Sequence, residues 1–115
     1  MLQPLSHAVG VDPCYVEQVL SVVERIPPGR VMSYGDIAEY VGSGGPRQVG
    51  HVLANSGGEV PWWRVIRADG SPPSCHSGEA LSRLSAEGAA LRSDGTRVDM
   101  RVARWDGVEA SPALP

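Results

Sequence analysis

The sequence predicts a mainly α-helical domain organised around a helix-turn-helix, and three observations carry that expectation. Val16, Val19, Leu20 and Val23 recur at helical spacing, which marks an amphipathic helix over Tyr15 to Glu24. Ser33 and Asp36 stand three residues apart, close to a capping box that would open a second short helix running to about Val41. Gly42-Ser43-Gly44-Gly45 then supplies a flexible turn, and Pro46 suits the first position of a third helix reaching about Ala54.

The connections follow from residues that cannot continue a helix. Asp12 and Pro13 provide a start for the first helix, and Ile26-Pro27-Pro28-Gly29 a stop, because proline lacks a donor and restricts its predecessor. A short extended piece, Arg30 to Met32, leads into Ser33. Ser56 to Glu59 reads as a loop, and Val60-Pro61-Trp62-Trp63-Arg64-Val65-Ile66 as a buried segment or pocket wall, too aromatic for a surface linker. Ala68 to Ser71 is a turn, Pro72 to Gly78 an irregular loop, and Glu79 to Leu91 a last helix with Leu81, Leu84 and Leu91 inward and an interruption near Gly88. Val98, Met100 and Val102 alternate with charged residues, the pattern of a short terminal strand. These readings divide the chain into a flexible N-terminus at 1–12, one domain at 13–107 and a disordered tail at 108–115.

Composition narrows the class. At 115 residues, with 42% hydrophobic residues, one core is expected. No apolar run approaches the roughly 20 residues needed to cross a bilayer, and no charged-then-apolar leader is visible, so a cytoplasmic protein without membrane contact is expected. The two cysteines, Cys14 and Cys75, fall in no metal-ligand or disulfide spacing, so neither a metal nor another cofactor is expected. Net charge is −3, which argues against a protein that coats nucleic acid by bulk electrostatics. Between Arg25 and Arg67, however, five arginines face three acids, a local excess of positive charge around the helix-turn-helix.

The most informative run is Ile26-Pro27-Pro28-Gly29-Arg30-Val31-Met32-Ser33-Tyr34-Gly35-Asp36-Ile37-Ala38, continued by Arg47-Gln48-Val49-Gly50, Asn55 and Pro61-Trp62-Trp63-Arg64-Val65-Ile66. It resembles the C-terminal domain of O6-alkylguanine-DNA alkyltransferases, whose pattern is I-P-x-G-x-x-x-S-Y, R-x-V-G, N and P-C-H-R-V-I. The resemblance spans about residues 15 to 105. It implies a winged helix-turn-helix DNA-binding domain of the alkyltransferase C-terminal type with a short terminal strand, entering the minor groove and rotating a nucleotide out of the duplex.

Carried over position by position, Arg47 resembles the arginine finger that fills the vacated base position, and Gln48 beside it joins the DNA-contacting set with Tyr34, which resembles the tyrosine that helps rotate the nucleotide. The lesion pocket would be formed by Tyr34, Trp62, Val65 and Ser77. Asn55 resembles the asparagine that braces the active-site turn, and Arg64 and Glu87 fall to structural support, Glu87 matching the family's proton-relay glutamate. Trp62 occupies the position of the reactive cysteine and Trp63 that of the neighbouring histidine. Alkyl transfer needs a thiolate or another activated nucleophile, and an indole nitrogen offers no lone pair for displacement. No catalytic residue is therefore expected.

The same cysteine-to-tryptophan change defines the alkyltransferase-like proteins, which bind alkylated guanine without repairing it and hand the lesion to nucleotide excision repair. The resemblance thus implies double-stranded DNA containing O6-alkylguanine as partner, excision-repair proteins as further partners, and a monomer. Three other readings stay open: a winged-helix regulator of undamaged DNA, an active alkyltransferase using Cys14 or Cys75, and a protein-interaction module that has kept the fold and lost DNA binding. Read alone, the paired tryptophans also suit a core, and Arg47 a solvated surface position.

Overall fold

A computed structural model describes residues 13–73 and 76–108. Helix α1 spans Pro13–Arg25, strand β1 Met32–Ser33, helix α2 Tyr34–Val41 and helix α3 Pro46–Ser56. Two single 3-10 turns, Gly57–Glu59 and Trp62–Arg64, lead to strand β2 at Val65–Ile66, followed by helix α4 at Ser77–Ala86 and a one-turn helix, α5, at Met100–Ala103. The expected N-terminus at 1–12, Cys75, and the expected tail beyond Val108 lie outside the described residues.

Local chemistry sets the boundaries of the helix-turn-helix. The Asp36 amide donates to Ser33 Oγ at 3.0 Å while the Ser33 amide donates to Asp36 Oδ2 at 3.1 Å, a complete capping box at the start of α2. Gly42 ends that helix at φ +92°, a left-handed conformation that glycine adopts without strain, and its amide returns to the Ala38 carbonyl at 2.9 Å. Pro46 opens α3, and Gln48 Oε1 accepts the Gly45 amide at 3.0 Å.

Strands β1 and β2 pair in parallel, Met32 opposite Val65 and Ser33 opposite Ile66. Because side chains alternate across a strand, this short ladder divides two cores. Met32 and Val65 join Val19, Val23, Ile37, Val49, Val52 and Trp105 on the side of α1 to α3. Val31 and Ile66 join Leu84, Val98 and Ala103 on the side of α4 and α5, with Trp63 packed at the edge. The chain end is sewn to the ladder: Val31 donates to the Ala103 carbonyl at 2.9 Å, and Trp105 donates to that of Val31 at 2.7 Å.

Two expectations for the C-terminal third are corrected. The last long helix ends at Ala86 rather than Leu91, because Gly88 turns left-handed at φ +85° and frees Leu91 to pair antiparallel with Val98. The terminal strand over Val98 to Val102 is reduced to that one bridge. Asp99 accepts the Arg101 amide at 3.1 Å and caps α5, which leaves Val102 60% exposed. A one-turn helix is too short to impose its period on the sequence.

Candidate nucleic-acid interface and pocket

A cavity of about 540 Å3 opens between the helix-turn-helix and the start of α4. Tyr34, the first residue of α2, forms one wall, and Trp62 in the second 3-10 turn forms another. The floor is cleared by Gly50, Ala54 and Gly57, which follow one another at spacings of four and three residues along α3 and its continuation, so that small side chains line one helix face. A Cβ on Gly50 would lie 3.9 Å from the Tyr34 ring, ordinary contact that gives this wall its closeness. Leu53 completes the apolar surface, and Pro73, His76 and Glu79 form the far edge.

Trp62 is half-buried and held by other rings. Its ring lies edge to face with Trp63 at 5.8 Å and 86°, and tilted on His76 at 5.5 Å and 57°. Edge-to-face pairs set the angle of a ring as well as its depth. Trp63 in turn is fixed by charge. Its Nε1 donates to Glu87 Oε2 at 2.9 Å, and the guanidinium groups of Arg64 and Arg83 lie 5.5 and 4.5 Å from its ring centroid.

Glu87 is the hub beneath the pocket wall. Arg64 donates to it through Nε at 3.0 Å and Nη2 at 2.6 Å, and sends Nη1 to the Ile26 carbonyl at 2.8 Å. The Gly29 amide adds a bond to Glu87 Oε1 at 3.1 Å. One carboxylate thus joins the Pro27-Pro28-Gly29 turn, the Trp62–Arg64 turn and the end of α4. Burial alone would raise its pKa, but the bonds from Arg64, Trp63 and Gly29 outweigh burial and hold it below the usual glutamate value. The two side chains of this ion pair are only 13% and 16% exposed.

Of the residues expected in the site, the structure brings Tyr34 and Trp62 together in one cavity. Arg47 is exposed near the start of α3, and no hydrogen bond or ion pair ties it to another described residue. Helical spacing sets it one turn before Gly50, on the α3 face that floors the pocket. Gln48 is also exposed, though its amide oxygen caps α3. Arg64 and Glu87 form the support just described.

Three expected positions differ. Val65 is not a pocket residue: it is fully buried in the first core, because the 3-10 turn before it feeds straight into β2. Ser77 is exposed at the start of α4 and is not among the wall residues, whereas its neighbours His76 and Glu79 are. Asn55 does not brace the tryptophan turn. Its Nδ2 donates to the His51 carbonyl one helical turn back, at 2.9 Å. The loop around Ser77, expected at the pocket, enters it through His76; Glu79 and Leu53 have no counterpart in the sequence reading, although the small-residue strip of Gly50, Ala54 and Gly57 is a legible sign of a cavity on that face.

Cys14 is exposed on α1, in a separate groove with Glu17, Ser21 and Tyr40. No thiol is found among the described residues of the Trp62 pocket. Among the described residues, no helix is long and apolar enough to cross a membrane.

Two helices joined by a glycine turn, packed on a short sheet and flanked by this cavity, define a winged helix-turn-helix DNA-binding domain. The family described as the 6-O-methylguanine DNA methyltransferase DNA-binding domain matches residues 15–94. The chain belongs to that family, and within it to the alkyltransferase-like proteins. It is 35% identical over 98 residues to a DNA base-flipping protein of Vibrio parahaemolyticus, covering 79% of this chain and 95% of the relative. It is 42% identical over 60 residues to alkyltransferase-like protein 1 of Schizosaccharomyces pombe, covering 50% of this chain and 56% of that protein. The crystal structure of S. pombe Atl1 in complex with damaged DNA containing O6-carboxymethylguanine superposes with a TM-score of 0.71 at 28% identity, covering 83% of this chain and 97% of the other.

Proposed function

We propose that this chain is a non-enzymatic reader of O6-alkylguanine in duplex DNA. The observation that carries the reading is the cavity between Tyr34 and Trp62, which offers aromatic surface for an extruded base but no thiol among its described walls. Helix α3 enters the minor groove, Arg47 fills the vacated stack, and the damaged nucleotide turns into the pocket. A filled gap offsets part of the unstacking, which costs a few kcal/mol per base. The guanidinium of Arg47 suits the task, since it stacks on neighbouring bases and bonds to the orphaned partner or to phosphate. Relatives named for base flipping, and Atl1 crystallised on damaged DNA, support the reading. In the cell the chain acts as a cytoplasmic monomer and passes the lesion to excision-repair proteins.

The test is a titration of sequence-matched duplexes containing guanine or O6-methylguanine, with intact protein mass measured afterwards. Preference for the alkylated duplex with unchanged protein mass is expected. A mass gain of one alkyl group on either cysteine would overturn the non-enzymatic reading, and a preference among base sequences rather than for the lesion would favour a transcription regulator.

Two substitutions test the assignment of parts. Arg47→Ala should weaken lesion binding by about 1 to 3 kcal/mol, the range for losing stacking and charge-assisted contacts to nucleic acid, with the melting temperature nearly unchanged. Unaltered binding would remove Arg47 from the finger role. Trp62→Ala should lower affinity for O6-methylguanine DNA more than for plain DNA, because phosphate contacts are common to both duplexes and only the pocket meets the added carbon. A folded variant that keeps its full lesion preference would take Trp62 out of recognition.

A further inference from the structure

The pocket beside Trp62 is apolar along Leu53, Ala54 and Pro73, and polar along one edge, where His76 and Glu79 stand three residues apart at the start of α4. Among its described walls, Glu79 is the side chain with a full charge at neutral pH. It is 50% exposed, which sets it where the cavity meets solvent. Arg83, one helical turn along, steadies it: Nη2 at 2.9 Å and Nε at 3.0 Å both meet Oε2. Oε1 takes neither contact and keeps its acceptor capacity. Arg83 itself lies over the Trp63 ring and is not among the wall residues, so a group in the cavity meets the anion of this pair before the cation. The N-terminus of α4 would favour an anion, but Glu79 already occupies that first turn.

We infer that Glu79 sorts O6-substituents by charge, accepting neutral and hydroxyl-bearing groups and disfavouring carboxylate-bearing ones. This rests on the lesion-pocket reading above. An unpaired like charge close by at a protein surface would shift the equilibrium by up to about tenfold; the Arg83 guanidinium on Oε2 offsets part of that field and leaves about two- to threefold, which salt reduces further. A hydroxyl has the opposite balance, since it can donate to Oε1 in a charge-assisted bond. Atl1 of S. pombe was crystallised with an O6-carboxymethylguanine duplex, so this preference separates the present chain from that relative.

The test uses four duplexes of one sequence, containing guanine, O6-methylguanine, O6-(2-hydroxyethyl)guanine and O6-carboxymethylguanine. They are titrated with the full chain and with Glu79→Gln at pH 8. The unsubstituted chain should bind the carboxymethyl duplex about two- to threefold more weakly than the methyl duplex, and the glutamine variant should bring the ratio close to one. Raising the salt concentration should narrow the ratio for the unsubstituted chain alone, a readout that needs no variant to fold. Equal affinity of the unsubstituted chain for the methyl and carboxymethyl duplexes, or an unchanged ratio in Glu79→Gln, overturns the role of Glu79 while leaving the lesion reading intact. Loss of all preference for alkylated over plain guanine overturns both.

Discussion

Glu87→Ala should lower the stability of the domain by about 2 to 4 kcal/mol, in a chain whose whole stability is expected to be about 5 to 15 kcal/mol. The reasoning starts from what the carboxylate holds. Its loss strands the Arg64 guanidinium, the Trp63 indole donor and the Gly29 amide, all of which converge on it. Fully buried pairs lose about 3 to 5 kcal/mol when one partner is removed, and the slight exposure of this pair reduces that figure. A fall in melting temperature of about 10 to 20 °C is the corresponding readout for a domain of this size. Glu87→Gln, which keeps one acceptor, should fall between the two.

The same bonds give a pH dependence of known sign. Glu87 has its pKa depressed in the folded state, so the folded chain resists protonation more than the unfolded chain does. Its stabilisation is complete above the ordinary glutamate value of about 4.3, and is lost as pH falls from there through the depressed folded value. Denaturant midpoints at neutral and acid pH should therefore diverge more in the unsubstituted chain than in Glu87→Ala. Parallel acid limbs would show that Glu87 is not the group responsible.

Trp62→Cys alone should restore little alkyl transfer, whereas Trp62→Cys combined with Trp63→His should form the adduct at least about tenfold faster. A free thiol with a pKa near 8.5 is mostly protonated at neutral pH, and the single variant retains an indole beside it, which cannot accept a proton. The double variant places an imidazole where the Trp63 donor now meets Glu87 at 2.9 Å, so the carboxylate, Arg64 and the turn that bears residue 62 are already arranged to orient it. The imidazole would remove the thiol proton, the thiolate sulfur would bond the alkyl carbon as the carbon–O6 bond breaks, and the departing guanine would take up that proton from the imidazolium. Intact mass after incubation with excess O6-methylguanine duplex reads the result. A rapid adduct on the single variant, or none on a folded, DNA-bound double variant, would defeat this account.

Much of this was legible in the sequence because short-range chemistry decides it. The Ser33 and Asp36 box, the Gly42 terminus and Pro46 each act within a helical turn, and they delimit α2 and α3 as read. Trp62 and Tyr34 were recognisable from the ordered motifs around them. Val65 was misjudged because adjacency to Trp62 says nothing about direction: a 3-10 turn followed by a strand sends consecutive side chains to different sides. His76 and Glu79 reach the pocket because α4 packs on the Trp62–Arg64 turn, a contact for which the sequence holds no local signal. The Val98 to Val102 alternation failed for a related reason, since Asp99 captures the Arg101 amide and that single bond turns a strand pattern into a helical turn.

The stitching of Trp105 to Val31 bears on how the molecule comes to exist. Trp105 is 4% exposed and packs into the core of α1 to α3, which is otherwise assembled from residues no later than Val65. During synthesis the DNA-reading half leaves the ribosome with that core open, and it stays open until almost the last of the domain has been made. Contacts of such wide sequence separation form late, and a nascent chain waiting for them presents valine and isoleucine to its neighbours. A ribosome that stalls, or a message that ends, shortly before Trp105 would release a species with every recognition motif present and no closed interior, a substrate for chaperones and proteases rather than a smaller version of the protein.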